Sequence, residues 1–357
     1  ETLLASYLPV IIFMGVALII GLALLVAPFI IAYQAPDDEK LSAYECGFEA
    51  FDESSFRPKL FIKEETFSRR LALISKYDFP VLPLNDALDM LQHSNLPKNA
   101  IVITIDDGFY NVLNVSSDIL QAYKYPATLY LATYYAQKES PIFRLVVQYM
   151  FWKTNKQLVN FDDCIWNKCG DVNIDLSADG ECDRVSWVCI NYGENECSEP
   201  ERISICKQLG VLLGVDYKEL SDSRILSLIT VDEIRLLVNK GFDVQLHTHR
   251  HAFPTDNEST AKKEIVDNRD VIGQVVDYPT KHFCYPSGIW SKTQWPWLEQ
   301  LGVESATTCL PGLNDSSTPM LALTRFLDGE NISDIEFKAE LFGFMELMRM
   351  LKKRVRT

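Results

Sequence analysis

The chain has 357 residues, enough for a large single core or one domain with attachments. Its formal net charge of −15 argues against a nucleic-acid backbone as a partner. The first residue is Glu rather than Met, as expected of a fragment or a processed product. Leu8 to Tyr33 carries no charged residue. At about 1.5 Å per residue this stretch exceeds the roughly 30 Å hydrocarbon core of a bilayer, which predicts one transmembrane helix. Gly15, Gly21 and Pro28 are tolerable in such a helix. A signal peptide would need a basic n-region and a shorter apolar core. Lys40 is the only basic residue flanking the stretch closely, so sidedness is weakly specified.

The loop that follows contains Tyr44-Glu45-Cys46-Gly47-Phe48-Glu49. Together with the helix it resembles the first helix and loop of the A-type membrane subunit of the proton-pumping NADH:quinone oxidoreductase. That family continues into two more membrane helices, whereas no second apolar run of spanning length follows Asp52. The join at Asp52 to Ser55 reads as a chimera. From Phe56 the pattern is soluble α/β. Glu65 to Tyr77 predicts a helix, Phe79 to Leu82 a short strand, and Asn85 to Gln92 a second helix. His93, near its end, reads as structural. Val112 to Tyr125 predicts a crossover helix and Pro126 to Thr133 a strand. Trp152 to about Leu209 breaks this rhythm. It is polar, holds Cys164, Cys169, Cys182, Cys189, Cys197 and Cys206, and carries turn signals at Asp179-Gly180 and Tyr192-Gly193. It reads as an insertion that either shapes a cleft or is a solvated excursion. No C-x-x-C pair supports a zinc ribbon, and disulfides and free thiols both remain open. Later, Ser259 to Asp270 predicts a helix, Val303 to Cys309 and Leu321 to Phe326 strands, and Met345 to Val355 a basic helical tail. That tail suits either solvent or an anionic bilayer surface.

Two stretches carry chemistry. Ala100 to Ile105 is an apolar, β-branched run that ends in Asp106-Asp107-Gly108. Carboxylates at the carboxyl end of a buried parallel strand lie where α/β sheets and barrels place their sites. The alternative is a strand followed by an ordinary Asp-Gly turn. The second stretch is His247-Thr248-His249-Arg250-His251, which holds three of the five histidines. It follows a capping box at Thr230 to Glu233, a helix, and a strand over Phe242 to Leu246. His247 and His251 are spaced to reach one ion, with an Asp from another strand as third ligand. Two imidazoles and a carboxylate with an open position make a zinc-type catalytic set.

These two stretches, with Lys281-His282-Phe283-Cys284-Tyr285-Pro286-Ser287-Gly288, resemble the first three motifs of the NodB-type polysaccharide deacetylases (carbohydrate esterase family 4). The resemblance runs from about Phe56 to about Glu330. It implies a distorted (β/α) barrel of seven or eight strands and metal-dependent hydrolysis of N-acetyl groups, zinc foremost. It makes Asp107, His247 and His251 the metal ligands and Asp106 the general base. The backbone N–H of Ser287 becomes the oxyanion donor. Two departures stand out. The family's third motif usually has an Arg two residues before the Pro, where this chain has Cys284, so either Arg250 or Arg325 stands in or Asp106 is held differently. The family's last motif supplies a His as general acid, but Leu321 to Phe326 contains none. His282 is the candidate acid, and His249 is expected to point away from the ion. Members also open with a strand before the Phe56 region. Its loss would leave an unpaired edge beside the site.

The expected organisation is residues 1–53 as membrane helix and loop, 54–335 as the deacetylase domain with its insertion at about 152–209, and 336–357 as the tail. The expected function is removal of N-acetyl groups from a polysaccharide or glycoconjugate by a single-pass membrane protein. O-acetyl removal shares the mechanism. Two alternatives differ in class: a truncated membrane component of the respiratory complex fused to a barrel, and a catalytically dead carbohydrate-binding barrel.

Overall fold

The computed structural model describes residues 62–161 and 173–356. The predicted membrane helix, the oxidoreductase-like loop, the join at Asp52 to Ser55, Cys164 and Cys169 lie outside these residues. Among the described residues no helix is long and apolar enough to cross a membrane. The described residues up to Gly343 fall in one compact unit, and the helix Phe344–Arg356 belongs to another.

The centre is a parallel sheet of β1 (Ile103–Asp107), β2 (Ala127–Leu131), β5 (Asp243–Leu246), β6 (His282–Cys284) and β7 (Ser305–Thr307), in that order across the sheet. The two short strands between β2 and β5, β3 (Leu158–Asn160) and β4 (Asn173–Asp175), form a separate antiparallel pair. The sheet is an open half-barrel, short of the seven or eight strands that the family resemblance implies. The flanking segments explain the shortfall. Val81 contributes a single bridge to Ile101, because Pro80 has no N–H to donate before it and the helix Leu84–Gln92 begins soon after. Leu323 likewise makes one bridge to Thr307, and Met320–Ala322 before it is a 3-10 turn rather than the predicted strand. β1 is therefore the edge strand of the described sheet, and it carries the Asp pair.

Helices predicted from periodicity form where expected. Glu64–Lys76 buries Leu71 and Ile74, and Leu84–Gln92 buries Leu84, Leu88 and Leu91. Exposed His93 caps the latter, with its Nδ1 2.8 Å from the Asp89 carbonyl. The crossover after β1 starts with a wider π-type turn at Val112–Ser116 before Ser117–Tyr123. Thr230 and Glu233 make the predicted reciprocal capping box of Val231–Asn239.

The region around 152–209 is the main departure. It is largely helical, with Glu181–Glu196 and Glu199–Leu213 packed on Phe143–Lys153. Their apolar faces build a second core, separate from the one under the sheet, that runs from Phe143 to Leu226. Asp179-Gly180 does turn the chain, with Gly180 left-handed ahead of a helix. Tyr192-Gly193 does not, because Gly193 sits mid-helix against the Phe143 ring. A Cβ there would lie 2.3 Å from two ring carbons. The glycine supplies close packing, not a turn. Of the described cysteines, Cys182, Cys197, Cys206 and Cys309 are free thiols.

Candidate active site

β1 ends abruptly because its last residue leaves the β region. Asp107 has φ 67° and Gly108 φ 92°. Only glycine fits at 108, where a Cβ would meet Leu131 Cδ1 at 2.3 Å. This twist sends the two neighbouring carboxylates to different partners. Asp107 Oδ1 lies 3.3 Å from His247 Nε2 and 3.4 Å from His251 Nε2. Asp106 faces Arg325, which donates from Nη1 to Oδ1 at 2.8 Å and from Nη2 to Oδ2.

The histidines come from the chain just beyond β5. Thr248 and His251 both take left-handed backbone, at φ 67° and 56°, and this curls the five-residue loop. The His247 and His251 rings end with centroids 4.9 Å apart. Non-glycine residues in this conformation cost about 1–3 kcal/mol each, a strain that concentrates at functional sites. The Nδ1–H of His247 donates to the Cys284 carbonyl at 2.8 Å, which leaves Nε2 as the atom with a lone pair toward Asp107. Desolvation pushes His251 down to about 4, so the ring is neutral near pH 7, and its buried Nε2 has no hydrogen-bond partner. The ligand atoms of Asp107, His247 and His251 all lie within 4.8 Å of one another. Two imidazole nitrogens and one carboxylate oxygen converging in this way fit a divalent cation with a position left open. Asp106, His247 and Cys284 form a second grouping of the same kind, which shares His247.

Burial raises the Asp106 carboxyl, but the charge and hydrogen bonds of Arg325 outweigh it and hold the group at about 2. The Cys284 thiol is 3.5 Å from Asp106 Oδ2 and 3.2 Å from Arg325 Nη2. A cysteine at 284 is small enough to admit a guanidinium arriving from residue 325. Of the two arginines expected to stand in, Arg325 is beside Asp106. Arg250 is held by Glu264 at 2.7 Å and Asp267 at 3.3 Å instead.

Ser287 follows Pro286 in a tight turn at φ 57°. It is buried, and among the described residues no backbone carbonyl outside its own turn accepts its N–H. His249 points away from the imidazole pair, with its Nδ1 2.9 Å from Thr133 Oγ1. His282 is not brought into the cluster. It lies two residues before Cys284, fully buried, with Nδ1 2.8 Å from Ser305 Oγ, and burial lowers it to about 4. A ring that is neutral and engaged there is poorly placed to protonate a leaving group beside Asp106.

Sequence reading missed Asn268. Its Oδ1 accepts the His247 N–H at 3.0 Å, and its Nδ2 donates to the Leu131 carbonyl at 2.9 Å and to Thr133 Oγ1 at 3.0 Å. One side chain thus fixes the end of β5 to the end of β2. The signal was available: Asn268 interrupts the buried stripe Ala261, Ile265, Ile272 of the helix Glu258–Ile272. A buried amide at an apolar position must satisfy its hydrogen bonds locally.

Comparison with known proteins bears on the fold and the family resemblance. The polysaccharide deacetylase family model matches residues 214–306. The deacetylase PplD of Streptococcus pyogenes, solved in complex with acetate, superposes with a TM-score of 0.52 at 15% identity. The match covers 82% of this chain and 93% of that one, and at this identity it speaks for the fold. An A-type NADH-quinone oxidoreductase subunit from Rhizobium meliloti (strain 1021) is 67% identical over 55 residues, 15% of this chain and 46% of that protein. Its counterpart from Acidithiobacillus ferrooxidans (strain ATCC 53993 / BNL-5-31) is 49% identical over 55 residues, covering 15% and 47%. The chain thus spans less than half the length of these curated relatives. It resembles two families in turn, as a chimera would: the A-type subunits of NADH-quinone oxidoreductase in its N-terminal region, and the polysaccharide deacetylases in its α/β body.

Proposed function

We propose that this chain is a metal-dependent de-N-acetylase of a polysaccharide or other N-acetylated sugar, held at a membrane by Leu8 to Tyr33. The observation that carries the reading is the convergence of Asp107, His247 and His251 beside the separately anchored carboxylate of Asp106. In this reading Asp107 Oδ1, His247 Nε2 and His251 Nε2 hold a divalent cation, with zinc the best match to the donor set. Such a cation polarises an amide carbonyl and makes water more acidic.

The protein's own groups do the rest. Arg325 keeps Asp106 ionised and fixes the orientation of its carboxylate. Asp106 receives the proton of the attacking water. The Ser287 N–H, which no backbone carbonyl outside its own turn accepts among the described residues, donates to the oxygen that becomes negative as the carbonyl is attacked. Cys284 packs beside both Asp106 and Arg325 and supplies the space that their pairing needs. The organisation in this reading is a catalytic domain over 54–335, with a helical insertion and a separate basic tail.

The test is metal content and acetate release by the purified full chain on an N-acetylglucosamine oligomer, with Asp106→Asn beside it. About one zinc per chain, with acetate release falling on the order of 10²–10³-fold in the variant, is the expected result. Bound zinc without turnover would favour a carbohydrate-binding barrel, and no bound metal would overturn the ligand set. A second reading, a fused piece of the respiratory complex, draws only on the N-terminal similarity. Co-purification with that complex would be needed to sustain it.

A further inference from the structure

The helix Phe344–Arg356 takes no part in the site above. It carries five basic residues, Arg349, Lys352, Lys353, Arg354 and Arg356, against one acid, Glu346, in a chain of net charge −15. At about 3.6 residues per turn, Phe344, Leu347, Met348 and Leu351 fall along one stripe, with Met350 at its margin. Arg349 falls on the other side, and Lys352 on the flank beside Met348. The apolar stripe is the open one. Phe344, Leu347, Met350 and Leu351 leave 51%, 52%, 51% and 46% of their surface exposed. On the polar side Arg349 pairs with Glu346 at 2.8 Å.

An apolar stripe of this size left in water calls for an occupant. The charge pattern selects one. Cations beside Leu, Met and Phe on a short, strongly charged helix suit the boundary between anionic headgroups and acyl chains. We propose that Phe344–Arg356 docks on an anionic bilayer surface, its apolar stripe inserted and its excess positive charge drawn to the headgroups. This inference is independent of the proposed catalytic activity.

Trypsin cleavage after Arg349, Lys352, Lys353 and Arg354, followed by mass spectrometry, tests it on the full chain. The chain is compared free, with vesicles of zwitterionic phospholipid, and with vesicles that also contain anionic phospholipid. Cleavage in the helix should slow about tenfold on the anionic vesicles alone and recover when salt is raised. The double variant Leu347→Glu, Leu351→Glu alters two half-exposed positions, so the helix should fold but lose its protection. Lys352→Glu with Lys353→Glu should lose it as well. Equal cleavage in all samples would overturn the proposal. So would protection indifferent to anionic lipid or salt. Protection that grows with protein concentration in the absence of vesicles would also overturn it, because a second copy would then cover the stripe.

Discussion

The sheet region and the helical insertion each have a buried apolar core, but they place their unusual backbone differently. In the insertion and its approaches, left-handed residues such as Glu139, Gly214 and Arg224 sit at helix C-termini. There they end helices and satisfy terminal carbonyls. The sheet region also has such a cap at Lys124, but in addition Asp107, Thr248, His251 and Ser287 are left-handed at or just beyond strand ends, and all four belong to the candidate site or its loops. Polar groups divide the same way. The insertion keeps ion pairs such as Arg144–Glu194 on its rim, whereas the sheet gathers Asp106, Arg325, Cys284 and two imidazoles into one place. One region uses its residues to hold itself together. The other accepts strain and desolvation in exchange for convergent carboxylates and imidazoles.

This contrast can be tested from both sides. The largest expected effect is Asp107→Asn. Asn tolerates left-handed backbone about as well as Asp, so the turn should survive while the ligand charge is lost. Zinc content should collapse and acetate release should fall on the order of 10³-fold, with a melting temperature close to wild type. Phe143→Ala should do the reverse. It empties a ring site that is 2% exposed, so denaturant titration should show about 3–5 kcal/mol of lost stability. Zinc bound per folded chain should not change. If Phe143→Ala also released the metal, the two regions would not be separable.

Arg325→Gln crosses the divide, because it leaves the Asp106 carboxylate without its cation. A loss of about 2–4 kcal/mol is expected, below the fully buried range because the pair keeps 13% and 21% exposure. Activity should fall with it, and Arg325→Lys should restore the charge without the two-point hold.

The smallest effect concerns acid. His282 is buried neutral, with its folded value lowered from the usual 6.5 to about 4. Between those limits the unfolded chain binds the extra proton, so stability falls as pH drops from about 6.5 to about 4. His282→Gln keeps a partner for Ser305 and should remove about 2–3 kcal/mol of that acid-dependent loss. Chemical denaturation at several pH values would show it. An unchanged slope would place the acid sensitivity elsewhere, with His251 the first group to examine.

Sequence alone determined the parallel α/β character, the strand that ends in Asp106-Asp107, the histidine pair and the capping box at Thr230. Each of these is written in local periodicity or spacing, which short-range sterics and hydrogen bonding enforce. Tertiary structure decided what depends on partners distant in the chain. Arg325, not Arg250, meets Asp106, because residue 284 is small and Glu264 already holds Arg250. Asn268 clasps two strand ends from a helix 21 residues beyond His247. Gly193 packs under Phe143 from 50 positions away, although its dipeptide reads locally as a turn. Charges and glycines are locally ambiguous, since solvent, a turn or a distant partner can each satisfy them. Only the packed chain shows which one does.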